Sequence, residues 1–541
     1  MSKKSLLFSL FFVSLLFSST TKGQGILYYK AGFLDDAKPL LISEIKSDPN
    51  NNAEEYFYLG NIYFNQNKPD SAEICFKNGL AADPAYPQNQ VGLIMLRMKN
   101  DPQGTELELK NLLKLKPNKK NIDLYIAISY AYLFNNMEDK ALYYQNKARS
   151  INSKYAGVYV LLGDILAPKN RGEACSNYEL ANLYDPNNKE AYIKYARAYK
   201  SVNPKLSIEK LKQLKEKDPS FALVDRELGD IYYSINDFEN AAHYYESYIQ
   251  SGISNVQDLT KYSMTLFMNH EFQKSLEVAT MGLQKDPLNP AFNRLIMYNN
   301  VELKQNDAAL SAADVLFNKS RNPEFNYLDF IYYGQALRDT KQISLAVEQY
   351  KKALEYDSTK VELWKDISDM YNEIGDYANA IDAYIKFINS LSDKDRNADV
   401  IIALGKLYYS YGNDPKTTPD VKKSALLKAD SIFAKIAEME PDGYRGNFWR
   451  ARANSALDPE TTLGLAKPFY ESTAALIESK NDPRFNSVLI ECYSYLGYYT
   501  LVQKEYEKSL EYWNEILQID PNNATAKKAI DGIKPQKKNE K

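Results

Sequence analysis

Proline punctuates this chain at a nearly constant interval, and that interval limits what the chain can fold into more than any other feature. Proline follows an acidic residue at Pro49, Pro84, Pro186, Pro219, Pro287, Pro441, Pro483 and Pro521, and a lysine at Pro117. With Asn152 and Ile253 in the intermediate slots, successive spacings from 49 to 287 run between 33 and 35 residues, and Ser358 keeps the phase further on. Each proline pushes the residue before it out of the α region, so a helix ends there. The Asp-Pro-Asn-Asn run at 185–188 also supplies side chains that cap a following helix. A globular chain of 541 residues would divide into several domains. This period predicts stacked units without a single core.

Inside the period a residue-type code recurs. Numbering each unit from its start a few residues after the proline slot, position 8 is glycine at Gly60, Gly163, Gly229, Gly334, Gly405 and Gly497. Position 20 or its neighbour is alanine at Ala72, Ala141, Ala174, Ala241, Ala346, Ala380 and Ala429. Positions 4, 7 and 11 are large and apolar, as in Tyr56, Leu59 and Tyr63 or Trp364, Ile367 and Tyr371. Position 24 is aromatic at Phe76, Tyr245, Tyr350, Tyr384, Phe433 and Trp513. Positions 4, 7, 8 and 11 share one helical face. Small residues at 8 and 20 let two helices approach, and the large ones fill the space around that contact.

This spacing and code resemble the tetratricopeptide repeat (TPR) family over nearly the whole chain. The resemblance implies an all-α TPR solenoid of about 13–14 helix-turn-helix repeats, wound as a right-handed superhelix. The expected array occupies 25–523, with a truncated unit at 25–50 and further units starting near 53, 87, 122, 156, 189, 222, 256, 290, 327, 361, 398, 444 and 490. The unit at 398 carries an insertion at 411–424, read either as a loop on the functional face or as a long connection. The unit at 444–487 is divergent, and 524–541 reads as a capping helix and a disordered tail.

The first 24 residues read as a signal peptide: Lys3 and Lys4, an apolar run from Leu6 to Phe17, then small and polar residues. Cleavage is expected between Ser18 and Gln24, and the mature chain should carry no transmembrane segment. An exported, tyrosine-rich chain of this kind resembles those of Gram-negative Bacteroidota, which implies the periplasm, with secretion as the other destination. Three cysteines (Cys75, Cys175 and Cys492) read as buried thiols rather than a disulfide framework. Two distant histidines, His243 and His270, give no metal site. A net charge of −3 gives no basic face for nucleic acid. No phosphate loop, nucleophile elbow or HExxH motif is present, so no enzyme, cofactor or catalytic residue is expected.

The resemblance further implies that side chains at positions 2, 5, 9, 12 and 13 of each first helix line a concave groove. Carried over residue by residue, it assigns partner-binding roles to Arg226, Asp230, Tyr233, Met264, Phe267, Met268, Arg294, Tyr298, Arg338, Lys406 and Tyr409, with Ile126, Tyr130, Leu133 and Phe134 earlier in the chain. Aromatic, methionine and arginine side chains suit protein or peptide partners. The expected function is a non-enzymatic exported scaffold, serving cell-envelope assembly. Two alternatives stand beside it: a carbohydrate or cell-wall binding module using groove aromatics, and an accessory subunit associated peripherally with an outer-membrane complex. The tyrosine doublets at 232–233 and 244–245 divide under this numbering. Tyr232 and Tyr245 belong to the packing code, Tyr233 faces the groove, and Tyr244 has no assigned place.

Overall fold

The computed structural model describes residues 23–48, 52–252, 254–480 and 482–539, so the leader segment lies outside the described residues. All regular structure among them is helical: 29 α-helices and one 3₁₀ turn, Pro483–Phe485. Consecutive helices pair as hairpins, and the chain divides into two compact units, Met1–Pro287 and Leu288–Lys541. The first unit holds eight hairpins, from Gln24–Lys30 with Leu34–Ser47 to Val256–Met268 with Phe272–Lys285. The second holds six, from Pro290–Glu302 with Asn306–Asn318 to Asn486–Val502 with Tyr506–Ile519, followed by Ala524–Asn539. This is a TPR-like all-α solenoid architecture. That final helix continues into the segment read as a disordered tail.

The position code has a direct physical reading. A Cβ added at Gly60, Gly163 or Gly405 would lie 2.3–2.4 Å from the ring of Phe76, Tyr178 or Phe433. In these hairpins the aromatic of the second helix therefore packs on the bare backbone of the first, a distance no side chain at position 8 would allow. Where position 8 is serine the same contact is made by a hydrogen bond. The hydroxyls of Ser129, Ser263 and Ser368 donate to the position-20 carbonyls of Ala141, Ser275 and Ala380 at 2.6, 2.9 and 2.7 Å. The turns between the two helices share a left-handed residue at position 15, as Asn67, Asn136, Asn236, His270, Lys304, Lys341, Gly375 and Lys504.

The aspartate of the Asp-Pro slots also works through its side chain. Asp185, Asp218 and Asp520 accept the N–H two residues on at 3.0–3.1 Å, bridging over the proline, which has no N–H to offer. The stretch 411–424 is mostly helical and forms no long connection. It is taken up as extra turns of Ala398–Asn413 and Pro419–Met439, leaving five residues between them. In the divergent unit, the buried Asp458 carboxylate accepts the N–H groups of Thr462, Leu463 and Gly464 at 2.8–3.1 Å and so organises the irregular connection. All three cysteines are buried free thiols, and burial pushes the Cys75 thiol up to about 11.

Candidate functional site

In the first unit, positions 2, 5 and 9 of successive first helices face one cavity of about 750 Å³. Ala53–Asn65 contributes Glu54, Phe57 and Asn61, Ile122–Phe134 contributes Asp123, Ile126 and Tyr130, and Ala156–Leu166 contributes Val160 and Asp164. Tyr58, Tyr86, Gln88 and Tyr155 complete the upper wall, Glu190 and Lys194 of Lys189–Tyr199 the lower, and Tyr29 and Lys30 close one side. Helices whose inner side chains converge in this way must curve around the space between them.

The wall is aromatic and charged. Tyr29 packs on Tyr58 with ring centres 4.8 Å apart, and Phe57 lies 5.3 Å from Tyr58 and 6.3 Å from Tyr86. Asp164 is a hub: it accepts hydrogen bonds from the hydroxyls of Tyr130 (2.6 Å) and Tyr178 (2.8 Å) and from the Lys194 ammonium (2.5 Å). Lys194 reaches Glu190 at 2.5 Å as well. Burial pulls the Lys194 pKa down, Asp164 and Glu190 push it up, and the carboxylates win, so the ammonium stays charged. Burial raises the Glu190 carboxyl above the usual range despite that lysine. Tyr155 donates to Asp123 at 2.5 Å.

The first hairpin closes this interior. Its turn and second helix reach residues 166 to 219 positions away. Arg197 donates to the Ala31 carbonyl at 3.0 Å, and Arg226 bonds Asp36 at 2.7 Å. Asn255 donates to the other Asp36 oxygen at 2.6 Å. Phe33 lies between the two guanidiniums, 4.7 Å from that of Arg197 and 4.8 Å from that of Arg226. Arg226 also pairs with the fully buried Asp258 at 2.7 Å. Burial works to lower the arginine's pKa, and Asp258, Tyr248 and Asp36 outweigh it.

The residues expected to line a groove fall into several groups. In the first unit, Arg226 is buried under the first hairpin and presents no head to solvent. Asp230 holds the Tyr245 hydroxyl and Lys261. Tyr233 is exposed and meets Phe238 edge-on, Phe267 packs on Phe272, Met264 is half-buried and Met268 exposed. Ile126, Tyr130 and Phe134 do line the cavity. In the second unit, Arg294 and the buried Tyr298 share Asp329 at 2.6 and 2.8 Å. Arg338 approaches Glu373 at 3.4 Å, and Lys406 and Tyr409 both meet Trp449. A smaller cavity of about 380 Å³ lies beside Lys406, between Asp399, Arg445 and Trp449.

Glu54, Tyr58, Tyr86, Asp123, Asp164 and Lys194 were not singled out from sequence. Five of them hold positions 2, 6 or 9, and the signal that would have found the four charged ones is a charge inside the apolar stripe of consecutive first helices. Among the described residues no group of acidic, histidine or cysteine side chains could hold a metal ion, and no helix is long and apolar enough to cross a membrane.

Comparisons with known proteins agree with this architecture. Residues 53–86 match the model of the tetratricopeptide repeat family. Among solved structures, the chain is similar to the C-terminal part of a TPR repeat-containing protein from Cytophaga hutchinsonii, at 30% identity over 50% of this chain and 99% of that one, with a TM-score of 0.39. It is also similar to MamA from Desulfovibrio magneticus, at 15% identity over 31% of this chain and 94% of that one, with a TM-score of 0.29. Among curated proteins it is similar to the CTR9 homolog of Arabidopsis thaliana, 18% identical over an alignment of 368 residues that covers 65% of this chain and 30% of the length of that protein.

Proposed function

We propose, from the premise that this chain is a member of the tetratricopeptide repeat family, that it is a non-catalytic scaffold holding a segment of a protein partner in the cavity enclosed by its first six hairpins. The observation that carries this reading is the convergence of positions 2, 5 and 9 from successive first helices on one space of about 750 Å³. A volume of that order lies within the range of sites that enclose a ligand, and solenoids characteristically bind through their inner faces. We also propose that the chain is exported through its N-terminal leader and works in the periplasm, in envelope assembly or docked on an outer-membrane complex.

A photoreactive residue at Tyr86 tests the site, with Leu183, which is 69% exposed, as the comparison position. The scaffold reading expects one defined protein to be captured from Tyr86 in intact cells and not from Leu183. Capture from Leu183 alone moves the binding surface elsewhere. The tyrosine-lined wall also favours the glycan reading, since such rings stack on sugars. Binding of cell-wall oligosaccharides in place of any peptide, lost on Tyr58→Ala, would replace the scaffold with a carbohydrate module. Fractionation and N-terminal sequencing of the mature chain test export, with a start between residues 19 and 25 expected.

A further inference from the structure

The cavity wall is unbalanced in charge. Five carboxylates line it (Glu54, Asp123, Asp164, Asp185 and Glu190) against the three ammonium groups of Lys30, Lys154 and Lys194. Lys194 is fully committed to Asp164 and Glu190. At the other end the acids are less well matched. Asp123 accepts from the neutral phenol of Tyr155, and Glu54 meets Lys30 at 3.9 Å, beyond hydrogen-bond distance. Burial raises both the Glu54 carboxyl and the Tyr86 hydroxyl, Asp123 adds to the rise at Glu54, and Glu54 and Asp123 add to that at Tyr86, so these three groups share one corner of the cavity.

What Lys30 does there is informative. Its ammonium lies 5.3 Å from the centre of the Tyr58 ring while approaching Glu54, and its side chain stays 40% exposed. The corner thus accepts a cation, through an aromatic face and a carboxylate, and holds its own lysine loosely. A second observation points the same way. Gln88 lines this cavity and is 7% exposed, and its side-chain oxygen accepts no hydrogen bond among the described residues. A buried acceptor left without a donor costs stability, and a peptide N–H or an ammonium would satisfy it.

We propose that the cavity binds an extended, lysine- or arginine-bearing segment of the partner, with one cation seated between Glu54, Asp123 and the rings of Tyr58 and Tyr86, in the place that Lys30 half fills. This rests on the scaffold reading and adds the chemistry of the ligand. The carboxylates supply charge selection, the rings a desolvated face for the alkyl stem, and Gln88 an acceptor for the backbone or the head group.

The test uses the full chain and a fluorescein-labelled nine-residue peptide of alternating lysine and alanine, with glutamine and glutamate versions as controls. Anisotropy should show the lysine peptide bound, the glutamine peptide bound about tenfold more weakly, and the glutamate peptide not bound. Binding should weaken as salt is raised. Glu54→Gln combined with Asp123→Asn, nearly equal in shape to the native pair, should cost about tenfold. Lys30→Met removes the internal competitor and should tighten binding several-fold, a gain that damage to the fold would not produce. Equal affinity for lysine and glutamine peptides overturns this inference and leaves the scaffold reading standing. A lysine peptide that does not bind, or one that the Lys30 and Glu54–Asp123 variants leave unchanged, overturns it too. Oligosaccharide binding without peptide binding overturns both.

Discussion

The two units use the same repeat and spend its inner positions differently. In Leu288–Lys541 these side chains pair between neighbouring hairpins: Arg294 with Asp329, Tyr298 stacked on Tyr332 at 4.1 Å, Arg338 with Glu373, and Arg452 with Glu491 at 2.6 Å. In Met1–Pro287 the equivalent positions of several hairpins look into a common space, and Arg197 and Arg226 are met by the first hairpin instead. The position-8, position-20 and position-24 contacts are the same in both. Packing code and inner face are therefore separable: one fixes the stack, and the other is free to become either a ladder of pairs or a cavity.

The largest way to break this comparison is at the buried arginines. Arg226→Met leaves the buried Asp258 and the half-buried Asp36 without their cation, and removing one partner of such a cluster costs about 3–5 kcal/mol. Amide exchange over residues 24–47 should speed up, because the first hairpin loses its distant anchor. Arg294→Met strands Asp329 in a similar way, yet its effect on exchange should stay within about 290–339. If exchange in the first hairpin is unmoved by Arg226→Met, that hairpin is held by its neighbour alone and the closed interior is wrong.

A smaller effect checks what the units share. Gly163→Ala and Gly405→Ala both place a Cβ 2.4 Å from an aromatic ring, one in each unit. Each should cost about 1–3 kcal/mol by overpacking, with similar values for the two. Gly172→Ala, whose added Cβ meets nothing nearer than 3.5 Å, should be neutral or stabilising. Thermal denaturation of the three variants decides it, and a large difference between the first two would mean that the hairpin contact is not one common device.

Much of this was legible because the repeat is a local code. Helix starts, hairpin pairing and the roles of Tyr232 and Tyr245 follow from spacing, and the structure presses Tyr245 onto Gly229 as that code requires. Tyr244, without a place in the code, stacks on Tyr232 at 5.5 Å and covers its own hairpin. The closure of the cavity was not legible. It depends on curvature accumulated over seven hairpins bringing Asp36 to Arg226 and Asn255, and no local pattern records that sum. Choosing groove residues by aromatic and arginine content drew attention to Arg226 and Tyr298, which are buried and bonded within the chain. The charged inner positions of earlier hairpins carried the better signal.

The turns offer a third comparison. At position 15, where φ is positive, the first unit uses Asn67, Asn136, Asn236 and His270, while the second uses Lys304, Lys341, Lys504 and Gly375. Asparagine adopts this region at less cost than lysine. Lys304→Gly and Lys341→Gly should therefore stabilise by about 0.5–1 kcal/mol each, the relief of strain exceeding the entropy glycine adds to the unfolded chain. Asn136→Gly should gain less. Equal shifts in melting temperature would show that strain at these turns is not what separates the units.

The smallest effect is the most informative about function. Glu54 has its pKa raised, first by burial and further by Glu55 and Asp123, with Lys30 opposing. The fold therefore favours its protonated form. Glu54 contributes stability below the ordinary glutamate value of about 4.3, and that contribution is lost as pH rises through the raised folded value. At pH 7 the ionised side chain is a net cost. Because it is nearly half exposed, solvent screening reduces that cost to about a few tenths of a kcal/mol. Glu54→Gln should stabilise the protein slightly at pH 7, lose that advantage at pH 4, and weaken the lysine peptide throughout the neutral range. The peptide should also dissociate from the native chain at a higher pH than an ordinary glutamate would dictate, since Lys30, Glu55, Asp123, Tyr58 and Tyr86 all surround the titrating group. A residue whose removal helps the fold and harms binding is there for the ligand. If Glu54→Gln instead melts earlier at pH 7, Glu54 serves packing, and the cavity loses its best claim to be kept open for a cation.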